Sequence, residues 1–434
     1  MINRQLAMQQ SAATTLSNWA GNIQYGSSIL QKPSGKEELI AMVKKADKLK
    51  VLGSRHCFNH IADSRHGFIS LQHLNRIVSL DERARTVTIE GGMNYGQLCP
   101  LLQEKGFALH NLASLPHISV AGACATATHG SGVNNGNLAT AVQSVEFVTA
   151  NGNTVTLHRE QDADSFHALL VGLGAFGVIT ELTLQIEPSY TMRQDVFEQL
   201  PMRTLAENFD AIAVAGYSVS LFTDWQSDYI NEVWIKSRLT ADTSVHFSGG
   251  FFDAIPAKRQ LHPIAHMPAE NCTEQMGKPG YWFERLPHFK MGFTPSSGVE
   301  LQSEYFVPRE HAVAAIQAIA RLGKQIGPYL LVSEIRTIDK DEAWMSPCYR
   351  QPSVALHFTW QQNWAAVKEL LPLIETALLP FNVKPHWGKL FTMSPESLAA
   401  GYEKLPAFAA LVKTYDTGGK FRNDFLDRYI FNAS

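Results

Sequence analysis

One histidine, His56, lies in a loop of small residues that reads V-L-G-S-R-H-C-F-N from Val51 to Asn59. A second stretch of small residues, S-V-A-G-A-C-A-T-A-T-H-G-S-G, runs from Ser119 to Gly132. Loops with few bulky side chains let backbone N–H groups approach an anion such as a pyrophosphate. The two stretches therefore predict a cofactor-binding site, in which His56 either packs, forms hydrogen bonds or holds the cofactor covalently.

Four polar residues fall at alternate positions of two strand-like segments. Glu334 and Arg336 are two residues apart in L-L-V-S-E-I-R-T-I, and His357 and Thr359 have the same spacing in A-L-H-F-T-W. Side chains two apart on a strand project to one face. If both strands share a sheet, the four side chains form a surface whose donors and acceptors suit a polyol. The pattern alone favours the solvated face of an antiparallel sheet, where polar alternation is routine.

Other sequence patterns that resemble cofactor-binding or metal-binding motifs lack the neighbouring elements or ligands that those motifs require. Gly172 to Gly177 spells G-L-G-A-F-G, but a helix-like segment precedes it and a strand-like segment follows. A dinucleotide-binding turn requires the reverse order. His56 and His60 lie four apart in a loop with no second cluster of ligands, so no metal site is predicted. The sequence has no HExxH, GxSxG or P-loop motif.

Mixed helical and strand periodicity without strict βαβ alternation predicts the α+β class. A capping box, S-x-x-E at Ser34 to Glu37, is predicted to start a helix that leads into the strand before His56. The other predicted elements are hairpins over Ile77 to Ile89 and Val145 to Leu157, a helix over Tyr95 to Leu102 and a strand over Thr180 to Ile186.

The length of 434 residues predicts two domains. The first boundary is placed at Pro188, after which Trp, Tyr and Phe become frequent. We expect a cofactor-binding domain over 1–188 and a substrate-binding (cap) domain over 189–384. A C-terminal segment, 385–434, is expected to return to the first domain and the active site.

Composition excludes several classes of protein. A net charge of -3, with 45% hydrophobic and 18% charged residues, gives no reason to expect a nucleic acid or a membrane as partner. Five widely spread Cys predict no disulfide framework and thus a reducing, cytoplasmic location. The N-terminus shows no signal peptide, and no apolar stretch is long enough to span a bilayer. A monomer is the default expectation.

Several further stretches give the chain a specific resemblance. They include A-S-L-P-H-I-S-V-A-G at Ala113 to Gly122, N-C-T-E-Q at Asn271 to Gln275, and H-W-G-K at His386 to Lys389. With the His56 loop, T-H-G-S-G, E-I-R-T and H-F-T-W, they make the sequence similar to the vanillyl-alcohol oxidase (p-cresol methylhydroxylase) flavoprotein family. Within that family it resembles most the alditol and xylitol oxidases, which are relatives of the sugar-lactone oxidases. The match covers nearly the whole chain.

The resemblance implies FAD bound in a two-domain α+β fold, with a separate cap domain built on an antiparallel sheet. It also implies a covalent bond between His56 and the 8α carbon of the flavin. Alditol oxidases often have G-S-G-H-S here, whereas this chain has Arg55 and Cys57 around the histidine. The cofactor-binding residues carried over are Gly53, Ser54, Arg55, His56, Cys57, Ser114, Ser119, Gly122, Thr126, Thr128, His129 and the backbone of Val178.

The same resemblance implies oxidation of an alditol to the aldose, with hydride transfer from C1 to flavin N5 and reduction of O2 to H2O2. His357 is the expected base, because a neutral imidazole accepts protons near neutral pH. Arg336 and Lys389 complete the catalytic set. The substrate-binding residues implied are Ser114, Glu334, Arg336, Thr359 and Lys389.

Two other functions stay open at this point. One is a sugar-lactone or other alcohol dehydrogenase of the same family that uses an acceptor other than O2. The other is a flavin-binding or sugar-binding protein without turnover.

Overall fold

The computed structural model describes residues 15–239, 247, 250–290 and 299–431. Residues 1–14, which belong to the N-terminal stretch with no predicted signal peptide, lie outside these ranges. Every helix in the described part of the chain is too short or too polar to cross a membrane. The fold belongs to the α+β class, as predicted, because its large sheets are antiparallel and its helices pack beside them.

The N-terminal region is built on two main sheets. Its strands are β1 Leu30–Gln31, β2 Lys50–Val51, β3 Phe68–Ile69, β4 Ile77–Asp81, β5 Thr86–Glu90, β6 Phe107–Ala108, β7 Val142–Val148, β8 Thr154–His158, β9 Val178–Gln185 and β10 Glu187–Pro188. Its helices are α1 Lys36–Lys45, α2 Tyr95–Glu104, α3 Val120–Ala125 and α4 Ala163–Leu170. The first sheet has the order β1-β3-β2, the second has the order β4-β5-β9-β7-β8, and β6 pairs with β10.

Most of the predicted elements of this region are confirmed. The two hairpins form as β4–β5 and β7–β8, and α2 ends just before Gly106, which has a φ of 80°. Gly172 to Gly177 connects α4 to β9, the order that argued against a dinucleotide-binding turn. The capping box is wrong: Gly35 is the N-cap of α1, and Ser34 Oγ donates to Glu38 Oε2 at 2.7 Å. Ser34 lies one residue too early to cap the helix, so its hydroxyl pairs with a side chain one turn further along.

The cap domain is a single large antiparallel sheet. Its strands are β11 Thr191–Pro201, β12 Ser218–Thr223, β13 Tyr229–Leu239, β14 Ile255–Pro256, β15 Gly280–Tyr281, β16 Glu300–Pro308, β17 Leu330–Ile338, β18 Ser353–Gln361 and β19 Lys384–Pro385. Its helices are α5 Met202–Ala213, α6 Ala312–Ala320, α7 Gly323–Ile326 and α8 Trp364–Leu378. The order is β14-β11-β13-β12-β17-β18-β16-β19, and β15 pairs with β11. Helices α5, α6 and α8 cover one face with an apolar core, so the other face is available for a site.

The C-terminal segment packs against the N-terminal region. It forms α9 Pro395–Ala400, α10 Leu405–Tyr415, α11 Asp424–Leu426 and a short π-helical turn, Asp427–Phe431. Phe408 of α10 meets Phe176 with ring centroids 5.4 Å apart, inside the core that also contains α2 and α4. The domain boundaries at 188 and 384 stay predictions.

Candidate functional site

A cavity of about 530 Å³ lies between the small-residue loops and the uncovered face of the cap sheet. Its walls contain both the residues of the small-residue loops and the polar residues of the cap sheet, whose relative positions the sequence does not give. The predicted residues that line it are Gly53, Ser54, Arg55, His56, Cys57, Ser114, Ser119, Gly122, Thr126, Thr128, His129, Glu334, Arg336, His357, Thr359 and Lys389.

The His56 loop follows β2 and is held by residues near the N-terminus. Trp19 N donates to the Arg55 carbonyl oxygen at 2.8 Å, and the Trp19 ring lies against the His56 ring with centroids 4.5 Å apart. Arg55 has a φ of 60°, a conformation that costs glycine nothing but strains a residue with a Cβ atom. Its guanidinium donates to Ser17 O at 3.2 Å. Trp19 and Ser17 thus stabilise a loop conformation that Arg55 alone would disfavour.

His56 has a second histidine as its neighbour. Its Nε2 atom forms a hydrogen bond with His117 Nε2, so one ring donates and the other accepts. Burial, and then His117 and Lys389, lower the pKa of His56 to about 3. The ring is therefore neutral and keeps a lone pair on nitrogen. Nothing in L-P-H-I-S distinguishes His117 from a packing residue, so it is absent from the predicted set.

Gly53 and Gly122 allow the two loops to touch. A Cβ atom added to either glycine would collide with Ser119 Oγ. Ser119 N donates to Ser54 Oγ at 3.3 Å, which links the loops directly. Both loops therefore meet through small groups, and the cavity beside them stays open.

Val178 does not line the cavity. It begins β9, pairs with Val148 of β7, and packs in an apolar cluster with Leu39. Leu173 and Gly174, from the preceding loop, line the cavity instead. The backbone contact between Val178 and the cofactor stays a prediction.

The cap sheet presents a polar wall to the cavity. Glu334 and Arg336 lie on β17, His357 and Thr359 lie on β18, and Glu334 is directly opposite His357. All four side chains are buried. On the reverse of the same strands, Ile335 lies in the apolar core. The polar alternation therefore marks a cavity wall, where periodicity alone favoured a solvated face.

His357 is oriented by a neighbour on β16. Its Nε2 atom lies 3.2 Å from Gln302 Oε1. An amide oxygen only accepts, so the ring proton is on Nε2 and Nδ1 carries the lone pair. Burial, followed by the charge of Lys389, holds the pKa of His357 well below 6.5. The imidazole is neutral, as a proton acceptor must be.

Glu304 on β16 lies at the centre of the polar wall and is absent from the predicted set. Its Oε1 accepts from Arg336 Nη2 at 2.6 Å and its Oε2 accepts from Lys389 Nζ at 2.8 Å, while His129 Nε2 lies 3.3 Å away. Burial would raise the pKa of this carboxyl, but Lys389 and then Arg336 hold it well below 4.5. The alternation E-L-Q-S-E-Y from Glu300 to Tyr305 is the sequence signal that identifies it.

Lys389 follows the H-W-G turn and points its ammonium at Glu304. Burial lowers its pKa from 10.5, and Glu304 opposes that change.

Ser114 contributes a carbonyl oxygen that accepts from His288 N at 3.2 Å. Among residues 15–239, 247, 250–290 and 299–431, no three His, Cys, Asp or Glu side chains are grouped to hold a metal ion.

Comparisons with known proteins agree with this architecture. Residues 28–158 match the FAD binding domain family, and residues 297–429 match the D-arabinono-1,4-lactone oxidase family. The chain is similar to the structure of cholesterol oxidase from Brevibacterium sterolicum, with a TM-score of 0.78 and 14% identity over 96% of both chains. That likeness shows the two-domain fold.

Proteins with similar sequences give a more specific comparison than the similar structures do. An alditol oxidase from a Streptomyces species is 45% identical over 95% of this chain and 98% of its own length. An L-gulono-1,4-lactone dehydrogenase from Mycobacterium tuberculosis is 26% identical, and an L-gulonolactone oxidase from Bos taurus is 24% identical, with the same shares covered.

Proposed function

The chain belongs to the alditol oxidase branch of the vanillyl-alcohol oxidase family of FAD flavoproteins, and we propose that it oxidises the terminal hydroxyl of alditols such as xylitol and sorbitol. The products are the aldose and H2O2. The observation that carries the proposal is the polar wall of Glu334, Arg336, His357 and Thr359 in the same cavity as His56. A chain of hydroxyl groups needs convergent donors and acceptors of this kind.

FAD fits the residues beside the small-residue loops. Gly53 and Gly122 keep side-chain atoms out of the space next to Ser119, so backbone N–H groups there can approach a pyrophosphate. Ser54, Thr126 and Thr128 add hydroxyl groups to the same lining. When bound, FAD supplies the two-electron oxidant that takes a hydride from substrate C1 and passes electrons to O2.

His56 is the proposed point of covalent attachment. Its ring is neutral and therefore nucleophilic, and Trp19 restricts its position. Because Nε2 contacts His117, Nδ1 is the ring nitrogen we propose for the bond. In the resemblance to the alditol oxidases, His56 occupies the position of the histidine that is bonded to the flavin.

His357 and Arg336 supply the acid–base and electrostatic chemistry in this proposal. His357 Nδ1 takes the proton of the C1 hydroxyl as the hydride leaves. Arg336 stays protonated and donates to the oxygen while negative charge develops on it. Lys389 adds a second positive charge, and Glu304 holds both cations in place.

A sugar lactone is the second candidate substrate. The match of residues 297–429 to the D-arabinono-1,4-lactone oxidase family favours it. The greater identity to the alditol oxidase, over nearly the whole chain, favours the polyol.

Anaerobic mixing tests the proposal. Purified protein loaded with FAD is mixed with xylitol, with sorbitol, or with L-gulono-1,4-lactone, and the flavin absorbance is followed. Bleaching by the alditols, followed by reoxidation and H2O2 release on admission of air, is the expected result. Bleaching by the lactone alone would assign the second candidate, and an artificial dye accepting electrons where O2 does not would assign a dehydrogenase. Flavin that stays yellow with all three compounds would reject turnover.

A further inference from the structure

A series of hydrogen-bonded polar side chains leads from the cavity wall, which His288 also lines, along the same face of the sheet to Lys236. Lys236 on β13 is fully buried, and its Nζ atom lies 3.0 Å from His288 Nδ1. His288 Nε2 lies 2.8 Å from Glu334 Oε1. Neither Lys236 nor His288 takes part in the proposed reaction, yet together they connect β13, two strands from β17 on the same face of the sheet, to a residue of the polar wall.

The hydrogen bonds from Lys236 through His288 to Glu334 all donate in the same direction. The Lys236 ammonium has three protons and three acceptors: Leu286 O at 2.5 Å, Pro287 O at 3.1 Å and His288 Nδ1 at 3.0 Å. An ammonium group only donates, so His288 Nδ1 carries the lone pair and Nε2 carries the proton. That proton is donated to Glu334 Oε1. A neutral amine, with two protons, would leave one of the three acceptors without its donor.

Among the described residues, the second oxygen of Glu334, Oε2, has no hydrogen-bond donor. Oε2 lies 3.5 Å from Arg336 Nε without hydrogen-bond geometry, and Arg336 Nε has no hydrogen-bond partner within the described residues. Arg336 instead donates through Nη2 to Glu304. Glu334 lines the cavity, so its Oε2 atom is an acceptor to which a substrate hydroxyl can donate.

We propose that Lys236 and His288 are positioning residues, which hold Glu334 ionised and turned so that Oε2 accepts a hydrogen bond from a substrate hydroxyl. The proposal rests on the proposed oxidation of polyols and adds the origin of its hydroxyl specificity. A compound that lacks this hydroxyl leaves a buried acceptor unpaired, which weakens its binding. Lys236 thus sets substrate affinity although it touches no substrate.

The electrostatic surroundings support a role beyond packing. Burial lowers the pKa of Lys236 to about 7; Glu334 and Cys272 oppose that change and Arg336 reinforces it. Burial, then Lys236, also keeps the pKa of His288 down, at about 4, so its ring is neutral. Buried charges are often replaced by apolar residues without loss of stability. Lys236 differs from the buried Lys50 and Lys384 because it is linked through His288 to a residue of the polar wall.

The test is a double-mutant cycle on the FAD-loaded enzyme. The steady-state kcat and KM for xylitol are measured in the unmodified protein, Lys236→Met, Glu334→Gln and the double variant. Lys236→Met is expected to raise KM on the order of 10-fold with little change in kcat, because it releases Glu334, whose hydrogen bond to the substrate hydroxyl is made equally before and during reaction. In the Glu334→Gln background the same change is expected to alter KM by less than about 2-fold, because coupled residues are not additive.

Controls separate positioning from folding. Lys384→Met removes another buried lysine, which lies over the Tyr402 ring, and is expected to leave KM unchanged. His288→Phe breaks the series at its second link and is expected to repeat the KM effect of Lys236→Met. If neither variant folds, the unmodified protein decides: its KM rises with pH through about 7 as Lys236 loses its proton, and Glu334→Gln abolishes that rise.

Failure of the positioning role and failure of the proposed function give different results. Equal KM effects of Lys236→Met in both backgrounds, or a flat pH dependence in the unmodified protein, would overturn the positioning role and leave polyol oxidation intact. An unmodified holoenzyme that oxidises neither xylitol nor sorbitol would overturn the proposed function and the positioning role together.

Discussion

Arg336 Nη2 donates to Glu304 Oε1 at 2.6 Å although their strands, β17 and β16, are not neighbours in the sheet. Strand β18 lies between them, and Ala355 is the β18 residue opposite Arg336. The methyl group of Ala355 leaves room for the arginine to pass over the intervening strand. A buried ion pair therefore spans three strands and connects the charges of the cavity wall.

Removing this charge should destabilise the protein. Glu304→Gln keeps the shape of the side chain but removes the carboxylate that Arg336 and Lys389 share, and leaves Glu334 as the remaining counter-charge of Arg336. We expect the free energy of unfolding to fall by about 3–5 kcal/mol, as when one partner of a buried pair is lost. Chemical denaturation measures it. Glu300→Gln, on the same face of β16, is the matched control and is expected to change stability less, because burial already raises the pKa of Glu300. Equal losses in both variants would reject the central role of Glu304.

His357→Ala should retain its flavin and reduce it slowly. Loss of a general base lowers the rate of the proton-transfer step by about 10²–10⁴-fold. Anaerobic stopped-flow absorbance with xylitol measures the rate, and His266→Ala, at an exposed histidine, serves as the control. An unchanged rate in His357→Ala would transfer the role of base to another group.

His56→Ala should bind FAD without holding it covalently. After acid precipitation, flavin is expected in the pellet of the unmodified protein and in the supernatant of the variant. His60→Ala is the control, because His60 lies four residues further along the chain, in a short 3-10 helix, and pairs with Asp63 instead. A yellow pellet from His56→Ala would place the attachment elsewhere, and a yellow supernatant from the unmodified protein would mean that no covalent bond forms.

Glu232→Gln should change stability in a pH-dependent way. Burial raises the pKa of Glu232 to about 7, although Trp234 Nε1 donates to its carboxylate at 2.7 Å. A raised folded-state pKa contributes stability that is complete below the unfolded value and is lost as the pH rises through about 7. The glutamine variant, which never ionises, should therefore be more stable than the unmodified protein at pH 8 by roughly 1–2 kcal/mol, after allowance for solvent screening. Thermal unfolding at pH 5 and pH 8 measures this, and a constant difference between the two pH values would contradict it.

Gly92→Ala should destabilise the N-terminal region. A Cβ atom at this position would collide with the backbone carbonyl of Leu71, which cannot rotate away. We expect a loss of about 1–3 kcal/mol, as for overpacked sites. Gly418→Ala is the control, because its Cβ atom would meet nothing within 4 Å. Similar melting temperatures for both variants would show that the Leu71 segment adjusts.

The α+β class, most N-terminal elements and the family were readable from the sequence because each rests on local signals. The hairpin at Ile77 to Ile89 follows from alternation and turn residues, and the reversed order around Gly172 to Gly177 excluded a dinucleotide-binding turn. The pairs Glu334–Arg336 and His357–Thr359 were visible as same-face residues, since a strand has a period of two.

Tertiary structure decided which face those pairs occupy and what surrounds them. Helices α5, α6 and α8 cover one side of the cap sheet, so the polar alternation of β17 and β18 lines a cavity instead of meeting solvent. His117 and His288 became recognisable only through partners distant in the chain, because a side chain's charge state and hydrogen bonds depend on neighbours that folding brings together. Periodicity identifies the face of a strand, but only packing determines what that face meets.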